Sequence, residues 1–176
     1  MSLPHAILTA LLEKPSSGLE LTRRFDKSIG FFWPATHQQI YRELGKLERD
    51  GLIRSVPGPP SQGRRKEYEV LPEGRAALVA WVAESQDPKP LRDALILRLR
   101  AAAVVGAPGL AEEFERHLTL HRAQLAEYRR IEQRDFPAPE AEGGNRLQHL
   151  ILQAGIGLEE FWIEWLTEAA KVLAAS

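Results

Sequence analysis

The chain has 176 residues, 44% hydrophobic and 27% charged, with 13 glycines and 12 prolines; this is the balance of a globular protein with a real core and excludes a disordered one. It contains no cysteine, which removes disulfides, thiolate nucleophiles and cysteine-based zinc sites together and leads us to expect a reducing, cytoplasmic setting. The formal net charge of −1, taken over the whole chain, argues against a nucleic-acid binder, since those carry a basic footprint.

In chain order, Ile7, Leu8, Leu11 and Leu12 stand at helical spacing and predict a helix over about Pro4 to Glu13, broken by Lys14-Pro15-Ser16. Ser17 and Glu20 make a Ser-x-x-Glu capping box that opens a second helix, whose buried side carries Leu21 and Phe25. Phe31-Phe32-Trp33-Pro34 reads as an aromatic connector, and the restriction on the residue before a proline requires a fresh helix after it. Thr36 and Gln39 form a second capping box, Ile40, Leu44 and Leu47 an apolar stripe, and Gly51 a left-handed stop that lets Leu52 fold back on Leu47. Ile53 to Val56 and Lys66 to Val70 predict a hairpin with a long Pro/Gly-rich tip. Pro72-Glu73-Gly74 starts another helix with Leu78, Trp81 and Val82 on its apolar face. Asp87-Pro88-Lys89-Pro90 then separates a first domain, 1–87, from a second, 88–176.

The second half is patterned differently. One helix covers about Leu91 to Val105 and stops at Gly106-Ala107-Pro108-Gly109. The next, about Leu110 to Arg134, sets Phe114, Leu118, His121, Leu125 and Tyr128 at alternating steps of four and three, a coiled-coil-like seam. Its partner is a long last helix, opened by Asn145 as cap, with Leu147, Ile151, Ala154, Leu158, Phe161 and Trp165 at the same steps. The expected fold class is mainly α, a winged helix-turn-helix domain followed by an all-α dimerisation region with coiled-coil-like helices.

Three helices, a two-stranded hairpin and a helix in about 85 residues is the order of a winged helix-turn-helix. If the Ile40/Leu44/Leu47 stripe is buried, the third helix must turn Gln38, Tyr41, Arg42, Gly45, Lys46 and Arg49 outward, and such a helix reads base edges in a major groove. The amides of Gln38 and Gln39 suit adenine, and the Arg42 fork suits guanine or phosphate. Thr36 at the helix start, Lys46 further along, and Arg64, Arg65 and Lys66 at the wing complete the expected contacts, the wing residues on phosphates or an adjacent minor groove. Residues 36–66 hold seven basic against three acidic side chains, so the positive charge is gathered in this segment. An isolated amphipathic helix of this kind is ordinarily a solvated surface helix; the joint order of the elements is what turns the reading.

The run His37-Gln38-Gln39-Ile40-Tyr41-Arg42-Glu43-Leu44-Gly45-Lys46-Leu47-Glu48-Arg49-Asp50-Gly51-Leu52-Ile53 resembles the recognition-helix signature of PadR-like transcriptional regulators. Arg65-Lys66-Glu67-Tyr68-Glu69-Val70-Leu71-Pro72-Glu73-Gly74-Arg75, followed by Trp81, is similar to that family's second motif, and Ser17-Gly18-Leu19-Glu20-Leu21 to its second-helix start. The resemblance covers about residues 5–85; beyond them it rests on helix order and length, which are similar to those of larger PadR and AphA-type members. It implies a dimeric regulator, most often a repressor, for which release from DNA by a small molecule is an expected mode. Gln38 stands where a glycine is common, Gly45 where a charged residue is common and Leu71 where a threonine is common.

Catalytic candidates do not converge. His117 and His121 lie four apart, but without the intervening glutamate of the hydrolase motif; His121 reads better as a seam residue, and no metal or cofactor is expected. Glu112, Glu113, Glu115, Glu159 and Glu160 read as solvated charges, so no enzyme is expected. No apolar run approaches the roughly 20 residues of a membrane helix, and Met1-Ser2-Leu3-Pro4-His5 carries no signal-peptide pattern. Trp33, Trp81, Trp162 and Trp165 are most simply core or interface anchors. Alternatively Trp162 and Trp165, with Phe161 and Tyr128, line a pocket for a small aromatic or apolar effector; the sequence leaves both readings open. The expected partners are double-stranded DNA, read as a pseudo-palindrome, and a second copy of the chain bound through the C-terminal helices. The alternative is a winged-helix protein-interaction module without DNA binding.

Overall fold

The described residues, 2–27, 33–57, 66–137 and 144–174 of a computed structural model, form seven helices and three strands. The order is α1 (Leu3–Glu13), β1 (Ser16–Ser17), α2 (Gly18–Lys27), α3 (His37–Arg49), β2 (Ile53–Pro57), β3 (Lys66–Val70), α4 (Pro72–Val82), α5 (Ala94–Val105), α6 (Leu110–Asp135) and α7 (Gly144–Ala174). The chain divides into two compact units, Met1–Pro88 and Lys89–Ser176.

In the first unit the apolar faces of α1, α2 and α3 close on one core: Ile7, Leu8, Ala10, Leu11, Leu21, Phe25, Ile40, Leu44, Leu47 and Ile53 are all buried. Both capping boxes form. Ser17 and Glu20 exchange bonds at 3.0 and 3.3 Å, and Thr36 and Gln39 at 2.8 and 3.2 Å. The α3 stop is also as expected: Gly51 takes a φ of 70°, its N–H donates to Glu48 O and that of Leu52 to Leu47 O, the two bonds of a Schellman motif.

The wing is antiparallel, with Ile53 opposite Val70 and Pro57 opposite Lys66. A third strand was not anticipated. Ser16, expected to interrupt the helices, and Ser17, expected only to cap the second one, pair with the other edge of β3, giving the order β1-β3-β2. Two serines carry no strand periodicity; only the partner defines them. The turn into α4 depends on close approach. A β-carbon on Gly74 would overlap the Leu52 carbonyl oxygen and stand 2.9 Å from Val70 Cγ1, so glycine lets the helix sit against the α3–β2 corner. The expected apolar face of α4 is only partly covered: Leu78 packs on the core, Trp81 stacks on His5 at 4.4 Å between ring centres, and Val82 is exposed.

In the second unit, α5 begins at Ala94 and not at Leu91, because the Asp93 carboxylate caps it by accepting from Leu95 N at 2.7 Å and Ile96 N at 3.2 Å. Helices α6 and α7 run antiparallel: Phe114 meets Trp165, His121 meets Glu159, Tyr128 meets Gly155 and Glu132 meets His149. The α6 seam is used largely as expected, with Phe114, Leu118 and Tyr128 buried. On α7 the face that meets α6 is largely a different one, although Trp165 of the expected stripe does pack on Phe114. It carries Ile156, Leu166 and Ala169, with Ile163 and Leu173 partly buried, while Leu147, Ile151, Ala154, Leu158 and Phe161 of the expected heptad stripe are exposed. The helix is apolar on two faces, and one row of heptad positions cannot show which of them meets α6. The cap expected from Asn145 lies outside the residues whose side chains are described, as do Phe31 and Phe32 of the connector.

Candidate nucleic-acid interface

Helix α3 is held from below and at both ends, and this fixes what its outer face presents. Ile40 and Leu44 are fully buried and Leu47 nearly so, so positions 38, 41, 42, 45 and 46 turn outward. Thr36, Gln38, Gln39, Tyr41, Arg42 and Lys46 are exposed. His37 Nε2 lies 3.2 Å from Asp26 Oδ2 of α2, a tie at the start of the helix. At its end Glu48 Oε1 accepts the Ser55 N–H at 3.1 Å and so joins α3 to the wing strand β2. The Ser55 hydroxyl and amide, with the Lys66 charge, hold the Glu48 carboxyl below its ordinary range although desolvation opposes them. Across the wing Arg54 pairs with Glu69 at 2.9 Å.

The outward residues are not equivalent. Gln39 Oε1 already accepts from Thr36 N at 2.8 Å and from the Thr36 hydroxyl at 3.1 Å. Reading an adenine edge with both ends of an amide would require that carbonyl, so Gln39 and Thr36 act first as the cap of α3. Gln38, one position earlier, is exposed and outside this box. Lys46 lies 3.9 Å from Glu43, the loose edge of an ion pair, and its solvent-exposed head is available to an anion. Arg42 is exposed between them. Tyr41 leans across the start of α2 against Gly18 and stays 48% exposed. Its hydroxyl also acts on Tyr68 of β3, whose pKa is raised first by burial, then by the Glu48 carboxylate and by Tyr41.

Gly45 has a helical backbone and no intramolecular reason to be glycine: a β-carbon there would meet only Arg49 Nη1, at 3.5 Å. Lys66 is exposed at the first residue of β3. Arg64 and Arg65, expected at the wing tip, lie outside the described residues.

The four aromatic residues named for an effector do not form one cluster. Trp165 packs on Phe114 with ring centres 5.8 Å apart and meets Trp162 edge-on at 5.7 Å; Phe161 meets Trp162 at 5.5 Å, and Trp162 stacks on His121 at 5.8 Å. Tyr128 is buried further along α6, where a β-carbon on Gly155 would stand 3.1 Å from its ring. Burial raises the Tyr128 pKa, partly offset by a hydrogen bond with Gln124. Among the described residues no group of three or more His, Asp or Glu could hold a metal, and no helix is long and apolar enough to cross a membrane.

Sequence reasoning did not single out Glu48 or Gly18. The partner of Glu48 is a backbone amide seven residues on, which only the folded wing brings near, and Gly18 was noticed only as part of a motif.

Comparison with known proteins gives two family matches. The transcriptional regulator PadR-like family matches residues 7–80, and the family described as virulence activator alpha C-term matches residues 91–174. A probable transcriptional regulator of Mycobacterium tuberculosis is 40% identical, over 98% of each chain. The negative transcriptional regulator PadR of Bacillus subtilis is 26% identical over 93% of each chain; its structure in complex with operator DNA superposes with a TM-score of 0.84, 25% identity, and coverage of 98% of this chain and 99% of that one. The virulence activator AphA of Vibrio cholerae superposes with a TM-score of 0.87 and 32% identity over 99% of each chain.

Proposed function

This chain belongs to the PadR-like family of transcriptional regulators and is a regulator of PadR/AphA type, not an enzyme, and from that premise we propose that it binds a pseudo-palindromic operator as a homodimer. Residues 1–87 are the DNA-binding domain and residues 88–176 the dimerisation domain. The observation that carries the reading is α3 itself: capped at one end, clamped to the wing at the other, buried along Ile40/Leu44/Leu47, and offering Gln38, Tyr41, Arg42 and Lys46 to solvent on its other side. In this reading Gln38 and Arg42 meet base edges, Tyr41 and Lys46 meet backbone, and Lys66 with Arg64 and Arg65 meets phosphates beside the groove. Thr36 and Gln39 contribute by fixing the helix start. The operator-DNA complex of PadR supports the choice of partner.

The second copy docks on the C-terminal helices. Leu147, Leu150, Ile151, Leu158 and Phe161 form an apolar row on α7 that is exposed among the described residues, and a contiguous row of this kind marks a protein interface. Two recognition helices then read half-sites about one or more helical turns apart. Repression, the sense carried in the name of the Bacillus subtilis relative, is the sign we assign, and the cytoplasm the location. The ring contacts among His121, Phe161, Trp162 and Trp165, with Tyr128 further along α6, mark where a small aromatic or apolar effector would act, by favouring one spacing of the two DNA-binding domains.

Footprinting of the protein on its own upstream region, with gel shifts at two salt concentrations, tests the proposal. A protected pseudo-palindrome and a salt-dependent, sequence-dependent shift are expected. No sequence-dependent shift at low salt would sink the DNA-binding reading and leave a protein-interaction module.

A further inference from the structure

Gly18 is the first residue of α2 and is buried. Its φ is not positive, so backbone conformation does not require glycine there, and in a helix glycine is less stable than alanine. The reason for glycine is spatial. A β-carbon on Gly18 would overlap Cε1 of Tyr41 and stand 3.0 Å from its Cζ and 3.2 Å from its Oη. The hydroxyl-bearing edge of the Tyr41 ring therefore rests directly on the Gly18 backbone, while 48% of Tyr41 stays open to solvent. Tyr41 belongs to the same outward row of α3 as Gln38, Arg42 and Gly45, at spacings of three and four. One side of the ring is seated and the other faces outward, which removes the freedom an exposed tyrosine would otherwise have.

We infer that Gly18 is a positioning residue for DNA binding: by having no side chain it seats Tyr41 against the start of α2 and fixes the Tyr41 hydroxyl where it donates a hydrogen bond to a backbone phosphate of bound DNA. The inference rests on the DNA-binding reading above. A phosphate is the partner because the contact lies at the flank of the recognition row, where α3 meets α2, and phosphate contacts set register without reading sequence. The seat matters because a hydroxyl fixed in place loses less rotational freedom on binding than a free one.

The test uses the full-length protein, a duplex carrying its upstream region and a scrambled duplex, with affinity followed by fluorescence anisotropy and folding by thermal melting. Tyr41→Phe keeps the ring and its seat but removes the donor; it is expected to weaken both duplexes alike, by roughly tenfold, the value of a hydrogen bond to a charged acceptor. Gly18→Ala is expected to weaken both by a similar factor and to lower the melting temperature. In a Tyr41→Ala background Gly18→Ala should cost no further affinity and should leave the melting temperature unchanged or raised, because the clash is gone and the helix propensity of alanine is left. If Gly18→Ala alone does not fold, restored folding in the double variant together with the Tyr41→Phe loss supports the same contact. Wild-type affinity for Tyr41→Phe, or an equal cost of Gly18→Ala with and without the Tyr41 ring, overturns the inference. No binding by the wild-type protein overturns the DNA-binding reading and this inference with it; wild-type binding with an unaffected Tyr41→Phe overturns this inference alone.

Discussion

Among the described residues the two halves of the chain bury nearly equal numbers of core side chains but differ in what they leave outside. Among the described residues of the first unit ten side chains close into one core, and the large apolar groups left exposed are Tyr41 on α3 and Val79, Trp81 and Val82 on α4. In the second unit, among the described residues, Leu91, Leu97, Val104, Val105, Leu120, Leu147, Leu150, Ile151, Leu158, Phe161 and Val172 are all exposed. Isolated exposed leucines need no explanation, but rows of them along a helix do. The described part of the first unit leaves little apolar surface outside, whereas that of the second leaves apolar rows along its helices, and the proposed dimer rests on that difference.

The largest expected effect comes from attacking that difference directly. Leu158→Glu places a charge on the open face of α7, where Leu158 is 55% exposed, so the isolated chain should fold and melt almost as before. Sedimentation should show a monomer. Operator affinity should fall by about 10²-fold or more, because the second half-site is no longer held at high effective concentration. A Leu158→Glu protein that remains a dimer would move the interface off this row.

Core truncations sharpen the same contrast. Leu44 and Leu166 are both fully buried, one in each unit, and Leu→Ala at such sites costs about 2–5 kcal/mol. Leu44→Ala should weaken operator binding in gel shifts while sedimentation still shows a dimer. Leu166→Ala should loosen the α6–α7 pair and weaken the dimer, while the melting of the first unit is preserved. Loss of both properties in both variants would mean that the units do not fold independently.

How much could be read in the sequence also follows the contrast. In the first unit local signals were sufficient, since capping boxes, a glycine stop and a three-residue apolar stripe each act within a few residues of themselves. Their bonds appear as expected at Ser17/Glu20, Thr36/Gln39 and Gly51. What escaped there depends on distant partners: the Ser16–Ser17 strand exists only because β3 pairs with it, and Glu48 has a role only when Ser55 folds back. In the second unit the helices were legible but their faces were not. A helix with two apolar faces satisfies several seams, and only packing decides that Ile156 and Leu166 meet α6 while Ile151 and Leu158 do not. The residues named for an effector divide in the same way, Tyr128 being buried on α6 while Phe161 stays exposed.

Within the first unit, the row on α3 can be divided by function. Arg42→Ala should cost about 1–3 kcal/mol at one base pair of the operator and relax the preference there. Lys66→Ala should weaken binding to every sequence and reduce the slope of log affinity against log salt by about 1. Anisotropy titrations against operator variants at several salt concentrations separate the two; uniform effects from both would remove Arg42 from base reading.

The smallest expected effect, at Gly45, has the most informative sign. Glycine in a helix interior costs about 1 kcal/mol relative to alanine, and here the cost has no return inside the chain, because an added β-carbon would touch only the tip of Arg49 at 3.5 Å. Gly74 and Gly18 differ, since in both an intramolecular neighbour occupies the space a side chain would need. If the missing side chain at Gly45 serves a close approach of DNA to the recognition helix, Gly45→Ala should raise the unfolding free energy by about 1 kcal/mol and at the same time lower operator affinity. Paired melting and anisotropy measurements on the one variant check this. A more stable protein with unchanged affinity would show that DNA does not come close at this turn of α3, and would confine the contact surface to its first half, around Gln38, Tyr41 and Arg42.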